Sequence, residues 1–184
     1  MHLRTTIARQ MALAGFALVV ASCADLPTAG ETFEIPVFAS AGESGHFVSP
    51  LSGGAEVPAV DTRARGNAVF TLSDDGSTLH YKLIVANIDG VTQSHIHLAP
   101  AGANGPVVVF LYGFNPAGVS VNGILAEGDL TAANLIARPQ IGFGATMAEL
   151  VAALRSGGAY VNVHTIARPP GEIRGQVQET GPTK

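Results

Sequence analysis

Apolar residues recur at every second position in several short stretches of this chain, and turn residues separate those stretches. The clearest stretch covers residues 78–86, where the apolar set is Leu79, Tyr81, Leu83 and Val85. Side chains at every second position share one face of a strand, so the pattern predicts a half-buried β-strand. The preceding segment 73–77 contains Asp-Gly, which is typical of hairpin turns, and it should join this strand to the one before it.

Similar stretches predict further strands, at residues 66–72, 91–98, 106–112, 119–128, 158–164 and 172–178. Twenty-two glycines and eleven prolines in 184 residues, without a collagen period, agree with a chain that turns often. About eight short strands in roughly 130 residues predict an all-β fold, specifically an antiparallel β-sandwich.

One short helix is predicted in a crossover between two of the strands. Thr146 suits the N-cap, and Glu149 three residues later completes a capping box. The apolar stripe of this helix consists of Leu150, Val151 and Leu154. Gly157 or Gly158 should end the helix.

The alternation also predicts which side chains form the core. These residues are Leu79, Tyr81, Leu83, Val85, Val161, Val163, Ile173 and Val177. His80 and Lys82 alternate with the first of them and should therefore face water.

The N-terminus has the pattern of a bacterial lipoprotein signal peptide. Arg4 and Arg9 precede an uncharged, mostly apolar run over residues 11–22. This run is too short to span a bilayer as a helix, but it suits the apolar part of a signal peptide. Residues 20–23 (VASC) resemble a lipobox, so Cys23 is predicted to be lipidated and to become the new N-terminus. The alternative is an ordinary secretory signal that is cut nearby.

Four segments follow from these patterns. They are a lipoprotein signal peptide over 1–22, a flexible tether over 23–46, a folded domain over 47–178 and a C-terminal tail over 179–184. The tether mixes proline, glycine and small polar residues with acids and has no sustained apolar period. Residues 34–38 within it suit a short strand that Pro36 would confine to a sheet edge.

Charge and cysteine content limit the expected partners. The net charge is -4, and removal of residues 1–22 leaves 8 basic against 14 acidic residues, which argues against nucleic acid as a partner. One cysteine permits neither an internal disulfide nor a cysteine-based zinc site. We expect an exported protein at the bacterial cell envelope, at the outer membrane or the cell surface. Its expected contacts are the membrane, through the lipid on Cys23, and an unidentified envelope or extracellular protein.

Two histidines alternate with apolar residues in the predicted strand over 91–98. Ile96 and Leu98 should face the core, which leaves His95 and His97 together on the outward face.

Two later strands bring further polar side chains to an outward face. The strand over 158–164 turns outward Tyr160, Asn162 and His164, and the strand over 172–178 turns outward Glu172 and Arg174. If these strands pair as a hairpin, one register sets Val163 opposite Ile173. That register also brings His164 near Glu172.

The outward side chains would form one polar surface patch that contains His95, His97, His164, Glu172 and Arg174. Neutral imidazoles are favoured ligands of copper and zinc, so the three histidines are candidate metal ligands. The residues expected around them are Glu172, Arg174, Asn162 and Glu56. The alternative is structural, with the imidazoles bonded to the backbone and to Glu172. Glu56 is also a candidate ion-pair partner of Arg174, and no catalytic residue is predicted.

Four ordered blocks carry a family resemblance. They are LSGGAEVP over 51–58, SHIH over 94–97, AYVNVHT over 159–165 and GEIRG over 171–175. These blocks resemble the signatures of the CHRD domain family, over about residues 47–178. The resemblance implies a β-sandwich of the immunoglobulin-like or copper-zinc-superoxide-dismutase-like kind. It implies little about activity, because the family has no well-established one.

Three functions are compatible with the sequence. The first is a non-catalytic structural or interaction module at the cell envelope. The second is an envelope metal-binding protein that uses His95, His97 and His164. The third is a superoxide-dismutase-like metalloenzyme, for which fold analogy is the only support. We expect them in that order, so an enzyme is not favoured.

Overall fold

The computed structural model describes residues 45–181, which form antiparallel strands and one α-helix. The strands are β1 (His46–Ser52), β2 (Arg65–Leu72), β3 (Leu79–Leu98), β4 (Val107–Tyr112), β5 (Val119–Leu130), β6 (Ala159–Thr165), β7 (Ile173–Gln176) and β8 (Gln178–Glu179). The helix α1 spans Met147–Arg155, and 3-10 turns lie at Gly53–Ala55, Ala132–Asn134 and Pro139–Ile141. In this part of the chain, no helix is long and apolar enough to cross a membrane.

The strands belong to one sheet whose path closes on itself. Its order is β2-β1-β7-β6-β3-β4, with β5 paired to β3 and β8 paired to β1. A further pairing joins β2 to β3, so β1, β2, β3, β6 and β7 form a ring around the core. The predicted class, antiparallel β with one short helix, is confirmed. The strands close into a small barrel-like arrangement rather than into two separate sheets.

Strand β3 makes this closure. The sequence predicted two strands, over 78–86 and 91–98, whereas the structure has one strand of 20 residues. The pairing with β5 shifts register between these two halves, and there Asn87 and Gly90 have φ angles of 54° and 65°. Such bulged positions bend a strand without ending it. The first half of β3 (79–86) therefore pairs with β2 and β5, and the second half (91–98) pairs with β4 and β6.

The two ends of the domain differ slightly from the predicted strands. Strand β1 was not predicted, and it pairs with β2 along its whole length. It begins at His46, which the sequence assigned to the tether. The predicted strand over 172–178 is divided into β7 and β8, because β8 pairs with β1 while β7 pairs mainly with β6.

Two local predictions, the helix and the hairpin turn, are confirmed. The Thr146 hydroxyl accepts a hydrogen bond from the Glu149 N–H at 3.2 Å, and the Glu149 carboxylate accepts one from the Thr146 N–H at 3.0 Å. This capping box begins α1, and Gly157 follows its end with a φ of 68°. Between β2 and β3, Gly76 has a φ of 69°, the left-handed conformation that glycine adopts readily.

The predicted core is confirmed at seven of eight positions. The buried ones are Leu79, Leu83, Val85, Val161, Val163, Ile173 and Val177. Tyr81 packs against this core but is only half-buried, and its hydroxyl donates to the Leu111 carbonyl at 2.6 Å. Of the two predicted water-facing residues, His80 is exposed and Lys82 is partly exposed.

Several predictions fall outside the described residues. They concern the signal peptide over 1–22, Cys23, the tether as far as residue 44, the edge strand over 34–38 and the end of the tail.

Candidate metal centre

Two neighbouring strands bring the candidate histidines together. His95 and His97 lie on the second half of β3, and Asn162 and His164 lie on β6. The antiparallel register sets His95 opposite Asn162, so these alternate residues share one face of the sheet. That face is the one opposite the apolar core, as the alternation predicted. The predicted pairing of Val163 with Ile173 is also present.

The prediction of a surface patch is wrong, because the three imidazoles are buried. The exposed fractions of His95, His97 and His164 are 3%, 8% and 7%. Two loops reach over this outer face of the barrel. Gly105 in the β3–β4 loop and Pro169 in the β6–β7 loop each place a carbonyl 2.8 Å from a histidine Nδ1. Polar side chains that point away from the core are therefore withdrawn from water by loops.

The three rings converge on one point. One nitrogen from each ring lies within 4.8 Å of the corresponding nitrogen of the others. The shortest approach joins His95 Nδ1 and His164 Nε2, at 3.1 Å. A tetrahedral ion with metal–nitrogen bonds of about 2.0–2.1 Å separates its ligand atoms by roughly 3.3 Å. The cluster therefore suits a single ion after small movements.

The hydrogen bonds determine which nitrogens are available. A carbonyl oxygen only accepts, so His97 and His164 donate their Nδ1–H groups to Gly105 and Pro169. Burial lowers the pKa of all three rings, and with repulsion from His164 and His97 it lowers that of His95 to about 3. The rings are therefore neutral at pH 7. His97 and His164 present Nε2 lone pairs, as metal ligands held by backbone carbonyls do.

Two polar contacts within the cluster lack an obvious proton. Asn162 Oδ1 lies 3.0 Å from Nε2 of His97 and 3.0 Å from Nε2 of His164. His95 Nε2 is fully buried and has no hydrogen-bond partner in the part of the chain that the structure describes. A buried polar atom without a partner costs about 1–3 kcal/mol, so a metal-free cluster is incompletely satisfied. A cation between the rings would explain the facing acceptor atoms of Asn162, His97 and His164, whereas His95, which approaches His164 through Nδ1, would keep its Nε2 unpaired.

Aromatic and cationic groups line the walls of the site. The Tyr160 ring stacks on His97, with centroids 4.7 Å apart, and the Arg174 guanidinium lies 3.8 Å from the Tyr160 centroid. Phe110 on β4 meets His95 edge-on at 4.4 Å and is 44% exposed on its outer side. Phe110 therefore separates His95 from solvent.

The predicted contact between the imidazoles and Glu172 does not form. The Glu172 carboxylate accepts hydrogen bonds from the hydroxyls of Thr62 and Thr165, at 2.7 and 2.8 Å. Glu172 does lie beside His164 in the backbone, since its N–H donates to the Val163 carbonyl. Its side chain is held instead by Thr62, more than 100 residues earlier in the chain, which hairpin register alone could not indicate.

The predicted ion pair between Glu56 and Arg174 is not a direct contact in the described residues. Arg174 donates to Asn104 Oδ1 at 2.8 Å and to the Ala103 carbonyl at 2.7 Å. Glu56 is buried, and no group within residues 45–181 makes a hydrogen bond to its Oε1. Burial raises the pKa of Glu56, and the positive charge of Arg174 opposes that rise. The two groups thus interact through charge only.

The sequence reasoning missed the loop residues that complete the site. Gly105 and Pro169 act through backbone carbonyls, and Asn104 acts on Arg174, so no side-chain motif marked them. The sequence feature that could have marked this loop is the glycine at position 105. In the structure a β-carbon there would lie 1.9 Å from the Leu98 carbonyl oxygen, so only glycine lets the loop pass so close to β3.

The family comparison agrees with the four sequence blocks. The model of the CHRD domain matches residues 47–177, which include the three histidines and almost all of the described domain. Among curated proteins and solved structures, none matches the chain. A match over most of the chain is sufficient to assign the family. The protein is therefore a member of the CHRD domain family.

Proposed function

We propose that this chain is a non-catalytic module that binds a copper or zinc ion through His95, His97 and His164. Family membership favours a non-enzymatic module. The observation that supports metal binding is the buried convergence of three imidazoles whose ligand nitrogens lie within 4.8 Å. Backbone carbonyls hold two of these rings in the orientation that presents Nε2.

The chemistry of the donors fits this proposal. Neutral imidazole suits zinc and copper, and the affinity of such sites for copper(II) exceeds that for zinc in the usual divalent order. Because burial keeps the rings neutral, an ion does not have to displace protons from them at pH 7. A bound ion would supply positive charge to the lone pairs that face each other in the cluster.

A melting experiment tests the proposal. Untagged protein is stripped with a chelator and then melted with and without zinc or copper(II) at pH 7. Binding to the folded state alone adds about 2.7 kcal/mol of stability when the free ion exceeds Kd a hundredfold. We expect His97→Ala to abolish this gain. His80→Ala is the matched control, because His80 lies exposed on the same strand, and it should keep the gain.

A purely structural role for the histidines is the second candidate. The observation that favours it is Asn162, whose side chain lies 3.0 Å from two of the rings. With Nδ2 in place of Oδ1 at this position, the amide would donate hydrogen bonds to both rings and join them without a metal. In that case zinc and copper would produce no melting shift in the wild type. His97→Ala would then destabilise the metal-free protein by about 1–3 kcal/mol through the partner that it leaves unpaired.

We further propose that the module is exported and attached to the bacterial envelope through a lipid on Cys23. Support comes from the basic start, the apolar run over 11–22 and the lipobox-like VASC. Wild-type protein should fractionate with membranes and incorporate labelled palmitate, whereas Cys23→Ser should do neither. Mature wild-type protein that is soluble and keeps an unmodified Cys23 would contradict this. The partner expected there is an envelope or extracellular protein.

A further inference from the structure

The hydrogens available to the histidine cluster can be counted. Three neutral imidazoles carry three N–H groups, and the carbonyls of Gly105 and Pro169 take two of them. The third belongs to His95, and in the metal-free cluster it lies on Nδ1, which is 3.1 Å from His164 Nε2. An ion bound at Nδ1 would shift this hydrogen to Nε2 of the same ring. No ring hydrogen remains for His97 Nε2, which faces the side chain of Asn162 at 3.0 Å.

The amide of Asn162 turns its oxygen toward the cluster. Oδ1 lies 3.0 Å from Nε2 of both His97 and His164, and an amide oxygen offers only lone pairs. Three acceptor atoms at this distance repel each other unless a positive charge lies between them. The separations of 3.0 and 3.1 Å are close to the roughly 3.3 Å edge of a coordination tetrahedron.

Gly171 lies beside the other end of the Asn162 amide. A β-carbon built on Gly171 would lie 3.1 Å from Asn162 Nδ2 and 2.5 Å from Glu56 Oε1, so both atoms flank the same glycine. Glu56 Oε1 is buried and has no hydrogen-bond partner among the described residues, so Nδ2 does not donate to it. The NH₂ end of the amide thus lies on the Gly171 side, and the oxygen end faces the imidazoles of His97 and His164.

The backbone keeps Asn162 in place. Asn162 is 3% exposed, and its backbone carbonyl accepts a hydrogen bond from the Ser94 hydroxyl at 2.7 Å. Its neighbours across the sheet are His95 on β3 and Arg174 on β7. A side chain held on a central strand between two paired strands is a rigid support for a ligand.

We propose that Asn162 Oδ1 is the fourth ligand of the ion, so that three imidazoles and one amide oxygen form a closed tetrahedral site. This inference rests on the proposed metal-binding function. Oxygen added to three nitrogens favours a divalent ion such as zinc over copper(I), which prefers softer donors. Sites with four protein ligands hold structural ions, whereas catalytic sites keep a position open for water or substrate. The fourth ligand thus makes the ion a resident of the module.

Zinc affinity tests the inference, because the opposite orientation of the amide predicts the opposite sign. If Asn162 is a ligand, Asn162→Ala should weaken zinc binding roughly 10- to 100-fold in competition with a chromogenic chelator. Asn162→Asp keeps an oxygen and adds negative charge, and it should bind at least as tightly as the wild type. If Nδ2 instead donates to both imidazoles, the amide competes with the ion. Asn162→Ala would then bind more tightly, and the inference would be wrong.

Asn122→Ala on β5 is the matched control, because β5 pairs with β3 away from the histidines of the second half and Asn122 is exposed. It should bind zinc as the wild type does. Unchanged affinity in Asn162→Ala would overturn the fourth ligand while leaving the three-histidine site intact. A wild type that binds neither zinc nor copper would overturn the proposed function and this inference together.

Cobalt(II) provides a second readout. A closed tetrahedral site gives cobalt(II) intense visible absorption, and the entry of water raises the coordination number and weakens the bands. We expect strong bands in the wild type and in Asn162→Asp, and weak ones in Asn162→Ala. If Asn162→Ala does not fold, the comparison of wild type with Asn162→Asp decides: weaker zinc binding by the Asp variant would contradict the inference.

Discussion

The two halves of β3 carry the same outward pattern and have opposite environments. The first half presents His80 and Lys82 away from the core, and the second half presents His95 and His97. His80 contacts Asp129, and Lys82 lies 3.0 Å from Glu127, with all four side chains at least 44% exposed. His95 and His97 are at most 8% exposed.

The difference comes from what covers each half. The first half is paired with β5, and the polar side chains of β5 on this face are also exposed to water. Over the second half, the loops that contain Gly105 and Pro169 bend back and accept hydrogen bonds from the imidazoles. A histidine on the outer face of a barrel is thus a solvated side chain in one place and a buried candidate ligand in another. Loops, rather than the strand pattern, decide between these environments.

The largest effect should come from charge placed on the inner side of the second half. Val163 is fully buried and pairs with Ile173. Val163→Asp would bury an unpaired carboxylate, which costs more than the usual stability of a small domain can absorb, so we expect unfolding. Circular dichroism and loss of a melting transition measure this. A folded Val163→Asp domain would show that this strand is not part of the core.

A second large effect concerns pH. The buried rings have lowered pKa values in the folded state, so below the unfolded value of about 6.5 the unfolded chain binds more protons. The free energy of unfolding therefore does not depend on these histidines above about pH 6.5. Below that pH it falls, by at most about 1.4 kcal/mol per pH unit for each buried histidine. Urea unfolding of the metal-free protein between pH 7 and pH 5 measures the slope.

The same pH series tests the buried cluster directly. Replacement of the buried ring in His95→Leu should make the dependence of the unfolding free energy on pH shallower by up to about 1.4 kcal/mol per pH unit, the contribution of one proton. A slope equal to that of the wild type would contradict the buried cluster.

A smaller effect is expected from the covering loop. A β-carbon on Gly105 would meet the Leu98 carbonyl oxygen at 1.9 Å, whereas one on Gly128, beside the first half, would make an ordinary contact of 3.4 Å with Tyr81. Gly105→Ala should therefore displace the loop, cost about 1–3 kcal/mol and weaken zinc binding through His97. Gly128→Ala should change zinc binding little. Titration and thermal melting of both variants test the contrast, and equal zinc affinities would contradict it.

The smallest effect should follow from loss of the exposed ion pair. Lys82→Ala removes the ion-pair partner of Glu127, and the Lys82 side chain is 44% exposed. Exposed ion pairs contribute at most about 1 kcal/mol to the free energy of unfolding. We expect a change in unfolding free energy within about 0.5 kcal/mol, measured by urea denaturation. A larger loss would mean that the first half is less solvated than its exposure indicates.

The sequence predicted the features that depend on local periodicity. Alternation identified the core face of β3, β6 and β7, and it placed His95, His97 and His164 on one side of the sheet. The register of Val163 with Ile173 also followed from matching apolar faces. These inferences held because a period of two is a property of the strand itself.

Burial and side-chain partners could not be predicted in the same way. The cover over the histidines depends on where two loops lie after folding, and their carbonyls carry no residue-specific signal. Glu172 turns to Thr62, a partner far away in the chain. The joining of two predicted strands into β3 depends on an irregular stretch where β5 shifts its register, with β2 paired before this stretch and β6 after it. Each of these outcomes is decided by tertiary contacts.

The meeting of the two ends of the domain has a mechanical consequence. Phe47 of β1 lies opposite Glu179 of β8, and the Thr180 N–H donates to the His46 carbonyl at 2.8 Å. Force applied between these ends would load the few bonds of the β1–β8 pairing one after another, before it reached the barrel. We therefore expect β8 to separate from β1 first, at low force. The closed ring of strands that holds the histidines should open only at higher force.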